Sequence, residues 1–251
     1  MRFLYKGDSK MKKKIIGFIL LAAGLAVCVF AGYKLFIINR EYKLSEDLYS
    51  VQEKKYVKTY PLNEEKTGEI TVDFTGLKKE NSDICAWLHI PSISVSYPVL
   101  QGENNNTYLR RLPDGTYNVG GSIFIDERCK SDFSSPVTVI YGHYMNNGTM
   151  FGRLNKFLDN SFLKTNRNFE IYTPEKHINA KIICCFETKS SSEIYNLPDE
   201  NSINDYLNIL SDESKADLKS IDTANENLVI LSTCSHSFES ARTVLIAVIK
   251  N

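Results

Sequence analysis

The sequence predicts a mainly β domain, built as a sandwich or closed barrel of seven or eight short strands, behind a single N-terminal transmembrane helix. From Ile84 onwards, short β-type runs alternate with Gly, Pro, Asn and Asp turns, which is typical of all-β folds. Ahead of them, Ile15–Tyr33 is an uncharged apolar run of 19 residues. The 251 residues are 43% apolar and 24% charged, a composition that excludes a largely disordered chain or a polytopic membrane protein.

The apolar run is long enough to cross a membrane. At about 1.5 Å per residue it spans roughly 28 Å, close to the ~30 Å of a hydrocarbon core. A cleaved signal peptide is the alternative, but its apolar region is usually only about 7–15 residues long. We therefore expect an uncleaved anchor, with a basic tail over 1–14, the membrane segment over 15–38, a stalk helix and linker over 39–76, and an external domain over 77–251.

The charge distribution supports this arrangement. The chain has 30 basic and 30 acidic residues, but residues 1–40 carry eight Lys or Arg against the single Asp8, so the remainder carries 22 against 29. Basic residues beside a membrane segment favour the cytoplasmic side, so Lys12, Lys13 and Lys14 predict a cytoplasmic N-terminus. The external part is acidic on balance, and we expect no nucleic acid among its partners.

The stalk and the external domain follow in order. Residues 41–60 have Leu44, Leu48 and Val51 at helical spacing and should end as a helix before Pro61, with a polar linker over 61–76. Helices are also predicted over Met150–Phe157 and about Ser202–Ser211, the latter with one apolar face. The predicted strands are Ala86–Ile90, Tyr97–Leu100, Ser122–Ile125, Val137–Tyr141, Phe169–Thr173, Ala180–Glu187, Leu228–Ser232 and Thr243–Ile249.

Three residues can form a nucleophilic site. Cys234 ends one predicted strand, and His143 follows another after Gly142. Arg242 lies eight residues after Cys234 at the start of the last strand, so a hairpin would bring its guanidinium beside the thiolate. The pattern leaves alternatives open, because a strand-end Cys is more often a packing residue and His236 competes as the base.

The other cysteines give no metal site and no complete set of disulfides. Cys28 lies in the apolar run, which leaves five thiols outside it, so at least one stays unpaired within the chain. Cys184 and Cys185 should point to opposite faces of a strand and act as packing residues. There is no Cys-x-x-Cys or His-Glu-x-x-His motif, and we expect no metal and no cofactor.

Several motifs, in order, resemble those of sortases, the cysteine transpeptidases of Gram-positive envelopes. The segment ILSTC ending at Cys234 is similar to the family's Thr-Leu-x-Thr-Cys signature, with Ile230 where Thr is usual, and the Cys-to-Arg spacing of eight also matches. YGHYM around His143, followed by TMF, is similar to the family's histidine loop. WLHIP with YPVLQG, then GSIFID, resemble the opening strands of class B sortases, and the helix near 202–211 resembles the helix that this class adds.

The resemblance implies a closed sortase-type barrel of about eight strands, with N-terminal helices and an extra helix before the strand of the catalytic Cys. It implies that Cys234 attacks the Thr carbonyl of an Asn-Pro-x-Thr-type sorting motif and forms a thioester. Arg242 would hold the carbonyl oxygen, and His143 would protonate the leaving amine. Ser232 and Thr233 would contact the substrate. Apart from the resemblance, Asp126 and Glu239 are candidates to orient His143 or Arg242, although the simpler interpretation of the acidic loop cluster at Asp126 is a solvated turn.

The implied partners are secreted proteins with a C-terminal sorting motif, an amino group of a peptidoglycan precursor, and the membrane that holds the N-terminal helix. The catalytic domain would be extracellular. Two alternatives stay open at this point: an anchored cysteine peptidase that acts by hydrolysis, and a non-catalytic envelope module.

Overall fold

A computed structural model describes residues 5–59, 70–199, 201–218 and 220–250. It divides into two compact units, Met1–Leu44 and Ser45–Asn251. The first unit belongs to α1, Tyr5–Tyr56, whose apolar stretch has exposed side chains and is long and apolar enough to cross a membrane. The membrane segment and the stalk, predicted separately, therefore form one continuous helix.

Short elements follow α1 where the sequence predicted the end of the stalk helix and a linker. Strands β1, Val57–Thr59, and β2, Ile70–Val72, pair antiparallel, and α2 covers Phe74–Glu80. The prediction that the stalk helix continues to the residue before Pro61 is wrong: it ends at Tyr56, and Val57–Thr59 pair with β2 instead. Residues 61–69 of the predicted linker lie outside the described residues. The small sheet belongs to an apolar cluster, which explains its formation; this cluster includes Tyr56, Ile70, Leu77, Trp87 and Tyr172.

Eight further strands close into a barrel, which confirms the predicted fold class. Their order around the barrel is β10-β8-β7-β3-β4-β5-β6-β9. Each predicted strand is present, with shifted ends in all but one: β3 Ile84–Ile90, β4 Val95–Leu100, β5 Ile123–Ile125, β6 Val137–Tyr141, β7 Asn168–Tyr172, β8 His177–Lys189, β9 Glu226–Cys234 and β10 Ala241–Lys250.

The position of β9 matters most for the site. It lies between β6, with which it pairs in parallel, and β10, with which it pairs antiparallel. Six of its nine residues, Leu228–Thr233, are buried, so burial on both faces fixes this strand. The carboxyl ends of β6 and β9 consequently meet the start of β10 at one end of the barrel.

The helices follow the predictions only in part. Helix α4, Ile203–Ser214, is confirmed, and its predicted apolar face packs on the outer face of the barrel; the buried residues are Ile203, Tyr206, Leu207 and Leu210. The helix predicted over Met150–Phe157 is wrong in its first half. Met150 has a φ of 52°, which an α-helix does not accommodate. A 3₁₀ segment, Leu154–Leu158, and the short α3, Asn160–Thr165, occupy this region instead.

Candidate active site

Cys234 and Arg242 are direct neighbours at the end of a hairpin. Cys234 is the last residue of β9, where the chain leaves the buried part of the strand, and its side chain is half-buried. Arg242 is the second residue of β10 and is its partner in the antiparallel register. Directly paired residues point to the same face, so the guanidinium and the thiol are on one side of the sheet.

His143 reaches the same place from β6. Tyr141 pairs with Ser232, and the Gly142 N–H extends the ladder by donating to the Ser232 carbonyl over 3.2 Å. His143 therefore emerges next to the end of β9. Glycine is required before it, because a Cβ at position 142 would lie 2.6 Å from the Phe151 ring.

One cleft of about 210 Å³ collects the three predicted catalytic residues and the two predicted substrate contacts. Its remaining wall is mostly apolar. The lining residues are Asn105, Leu109, Phe124, Tyr141, Gly142, His143, Ser232, Thr233, Cys234 and Arg242.

Ser232 and Thr233 differ in their surroundings, although both are 2% exposed. The Ser232 hydroxyl is 2.8 Å from the hydroxyl of Tyr195, and the two share a hydrogen bond. The Thr233 hydroxyl is buried without a hydrogen-bond partner among the described residues. Strand alternation places the Thr233 side chain on the face opposite Cys234, so Thr233 borders the cleft through its backbone.

The hydrogen bond of His143 assigns its tautomer. Nε2 is 2.7 Å from the Leu109 carbonyl oxygen. Because a carbonyl only accepts, Nε2 carries the proton, and Nδ1 is the nitrogen that can exchange a proton with a reacting group. Burial lowers the pKa of His143, and the positive charges of Arg110 and Arg242 lower it further, although the bond to Leu109 opposes this. The imidazole is consequently neutral at pH 7.

Two hydrogen-bond partners of the site residues could not be predicted from the sequence. Leu109 lies 34 residues before His143, and Tyr195 lies 37 residues before Ser232, each in an irregular or 3₁₀ segment. Burial raises the pKa of Tyr195, so its hydroxyl stays protonated and available as a hydrogen-bond donor. Neither residue belongs to a motif or a periodic pattern from which its position could have been found.

Asp126, one of the two carboxylates expected to orient the catalytic groups, is engaged elsewhere. It is fully buried and accepts hydrogen bonds from the Arg128 guanidinium, the Tyr141 hydroxyl and the Asn105 amide. Burial alone would raise the pKa of Asp126, but the bonds from Arg128 and Tyr141 lower it to about 2. Asp126 thus supports the cleft wall through Tyr141 and Asn105.

Glu239, the other carboxylate, is exposed, and no hydrogen bond or ion pair is seen for it in the part of the chain that the structure describes. His236, the competing base, is also exposed, and its ring packs edge-on against Tyr144 with centroids 5.2 Å apart. His236 does not line the cleft. The geometry therefore favours His143 as the base.

Burial raises the thiol pKa of the four cysteines outside α1 other than Cys234, which makes them unsuited to nucleophilic attack. None of the six, all of them among the described residues, forms a disulfide. Burial raises the pKa of the Cys85 thiol to about 12, and those of Cys129 and Cys184 to about 11. Thiols that stay protonated at neutral pH are poor nucleophiles. Cys184 packs in the apolar cluster beneath α4, whereas its neighbour Cys185 faces the other side of β8.

Among the described residues, no group of three or more His, Cys, Asp or Glu side chains is arranged to hold a metal ion. The cleft instead offers a thiol, a neutral imidazole and a guanidinium. This set fits acyl transfer through a covalent enzyme intermediate.

Comparison with known proteins agrees with this chemistry. The model of the sortase domain matches residues 88–250. Sortase B of Listeria monocytogenes is 28% identical over 242 residues, which cover 93% of this chain and 96% of that protein. Among solved structures, a class B sortase of Streptococcus pyogenes involved in pilus biogenesis is 32% identical, with a TM-score of 0.64 over 71% of this chain and 98% of that one. A sortase B solved in complex with triglycine is 27% identical, with a TM-score of 0.61 over 70% of this chain and 84% of that one.

The chain belongs to the sortase family, the cysteine transpeptidases that attach proteins to the cell wall. Within the family it is a class B sortase, as its relatives and the helix α4 before the strand of Cys234 indicate. The predicted enzyme class is confirmed, and a non-catalytic module is set aside. Sortases act on sorted substrate proteins and peptidoglycan, and their homologues are membrane-associated.

Proposed function

We propose that this sortase cleaves an Asn-Pro-x-Thr-type motif after Thr and transfers the protein to an amino group of a peptidoglycan precursor through a thioester at Cys234. The observation that carries the proposal is the pairing of Cys234 with Arg242 beside His143 in one cleft. The apolar wall of the cleft, with Leu109 and Phe124, suits a Pro-containing peptide, and Asn105 offers an amide to its polar groups.

In the first half-reaction, the Cys234 thiol gives its proton to Nδ1 of His143 as sulfur attacks the Thr carbonyl carbon. The carbonyl oxygen gains negative charge, which Arg242 stabilises. The C–N bond then breaks, and the leaving amine takes the proton from His143. The acyl group stays on sulfur as a thioester, while Ser232 and Thr233 line the cleft beside it.

In the second half-reaction, an incoming amine attacks the thioester and loses its proton to His143. The C–S bond breaks, the new amide leaves, and the sulfur recovers its proton. Water can replace the amine and yields the hydrolysed acid. Two half-reactions that share one covalent intermediate predict ping-pong kinetics.

The test is ligation in the full chain solubilised in detergent. With an Asn-Pro-x-Thr peptide as donor, added triglycine is expected to appear at the new C-terminus of the Thr product in mass spectra. Triglycine is a suitable amine, because one relative has been solved in complex with it. A donor with Leu in place of Asn is the matched control and should react more slowly.

Two outcomes would contradict the proposal. Hydrolysis alone, unchanged as triglycine is raised to saturation, would favour the peptidase hypothesis. Equal rates for the Asn and Leu donors would leave the transfer reaction standing but remove the proposed motif.

We further propose that Ile15–Tyr33 of α1 anchors the enzyme, with the N-terminus in the cytoplasm and the catalytic domain outside. Exposed apolar side chains along this run support the anchor. A charge at the centre of a membrane helix costs about 2.5–3.5 kcal/mol, so Leu21→Arg is expected to reduce the fraction that stays in membranes after an alkaline carbonate wash. Leu44→Arg, outside the run, is the control, and release of the unmodified chain by the wash would contradict the anchor.

A further inference from the structure

The loop 235–240, between the strand of the nucleophile and the strand of the arginine, is held by a carboxylate on a third strand. Oε1 of Glu187, half-buried on β8, accepts hydrogen bonds from the hydroxyls of Ser235 and Ser237, the latter over 2.6 Å. The Ser235 N–H closes the loop by donating to the Ala241 carbonyl over 2.9 Å. Ser235 is the residue directly after Cys234, so Glu187 acts on the backbone that carries the nucleophile.

The catalytic pair needs such an anchor because it is the last pair of its ladder. Arg242 and Cys234 end the β9–β10 register. Terminal pairs of a ladder open most easily, and beyond this pair the ladder continues by the single hydrogen bond from the Ser235 N–H to the Ala241 carbonyl. The Arg242 guanidinium donates to the carbonyl of its own neighbour Ala241, and this hydrogen bond does not tie it to β9.

Glu187 acts from the face opposite the cleft. It pairs with Thr243, whereas the next residue of β8, Thr188, pairs with Arg242. Alternation therefore places Glu187 on the side of β10 away from the Arg242 side chain. Glu187 does not line the cleft, so it does not contact the substrate there.

We propose that Glu187 is a positioning residue, whose hydrogen bonds to Ser235 and Ser237 keep Cys234 opposite Arg242. Glu187→Ala frees the loop and is expected to lower kcat on the order of 10-fold, because small misplacements of reacting groups are costly. KM should change little, since the cleft wall is intact. Glu187→Gln keeps an oxygen at the position that accepts both hydroxyls and should restore most of kcat.

A second readout does not depend on the substrate. Alkylation of Cys234 by iodoacetamide at a fixed pH, followed on the Cys234 peptide by mass spectrometry, reports whether the guanidinium still supports the thiolate. Glu187→Ala is expected to slow this alkylation and Glu187→Gln to leave it near the original rate. The kinetic measurement rests on the transfer reaction proposed above, whereas alkylation would still report on Glu187 if the sorting motif proved different.

The matched control is Glu80→Ala. Glu80 also accepts side-chain hydrogen bonds, from Gln52, Lys55 and Tyr56, and it does not line the cleft. Its loss should lower Tm without changing kcat or the alkylation rate. The Ser235→Ala/Ser237→Ala double variant should reproduce the kcat loss of Glu187→Ala, with little further loss when the changes are combined.

The proposal would be overturned if Glu187→Ala kept the original kcat and alkylation rate. It would equally be overturned if Glu80→Ala lost both to the same degree, since the effect would then follow from general destabilisation.

Discussion

Replacing Cys234 with alanine is expected to lower the rate of cleavage and of transfer by at least about 10³-fold, because the bond to the acyl group forms at its sulfur. The side chain is half-buried at a strand end, and alanine keeps β9 in register, so the fold should persist. Rates measured with the peptide donor and triglycine, together with Tm, separate loss of chemistry from loss of structure.

Cys85→Ala is the matched control for this result. Cys85 is also half-buried on a barrel strand, but its thiol donates to the Val99 carbonyl and does not line the cleft. Its loss should leave the transfer rate unchanged. If Cys234→Ala turned over at the original rate, or if Cys85→Ala abolished turnover, Cys234 would not be the nucleophile.

Replacing Arg242 with alanine is expected to lower kcat by about 10²–10³-fold, the usual cost of losing one group that stabilises the oxyanion. Arg242→Lys should recover only part of the loss, because an ammonium keeps the charge but not the planar fork of donors. Arg167→Ala removes an exposed arginine that does not line the cleft, and it should behave as the original enzyme.

The same substitution carries a test of electrostatics. Besides burial, the positive charge of Arg242 lowers the pKa of His143. Arg242→Ala should therefore raise this pKa, and the imidazole should stay protonated up to a higher pH. The titration of His143 can be followed by NMR in Arg242→Ala, Arg242→Lys and the original chain. An unchanged titration in Arg242→Ala would mean that the guanidinium does not lie beside the imidazole.

Much of the site could be predicted because its residues lie at the ends of strands with strong local patterns. The buried run before Cys234 and the short loop to Arg242 already imply a hairpin with both side chains at one end. The segment Val137–Tyr141 is similarly a run of strand-forming residues stopped by Gly142. Burial and turn chemistry act over a few residues, so the sequence reports them directly.

Other features were decided by the closed barrel alone. Three hydrogen bonds of the site join residues that are far apart in the sequence. They link His143 to Leu109, Tyr195 to Ser232 and Glu187 to Ser235, over 34, 37 and 48 positions. The small sheet β1–β2 also depends on tertiary packing, because its strands belong to the apolar cluster around Tyr56 and Trp87.

The sequence by itself therefore determined the strands and the apolar helix and predicted the three groups that we propose react, because each depends on neighbours along the chain. Only the tertiary structure decided which nitrogen of His143 is free, that Asp126 supports the cleft wall through Tyr141 and Asn105, and what anchors the loop after Cys234. These depend on distances across the barrel, which are fixed when strands far apart in sequence pair and exclude water between them.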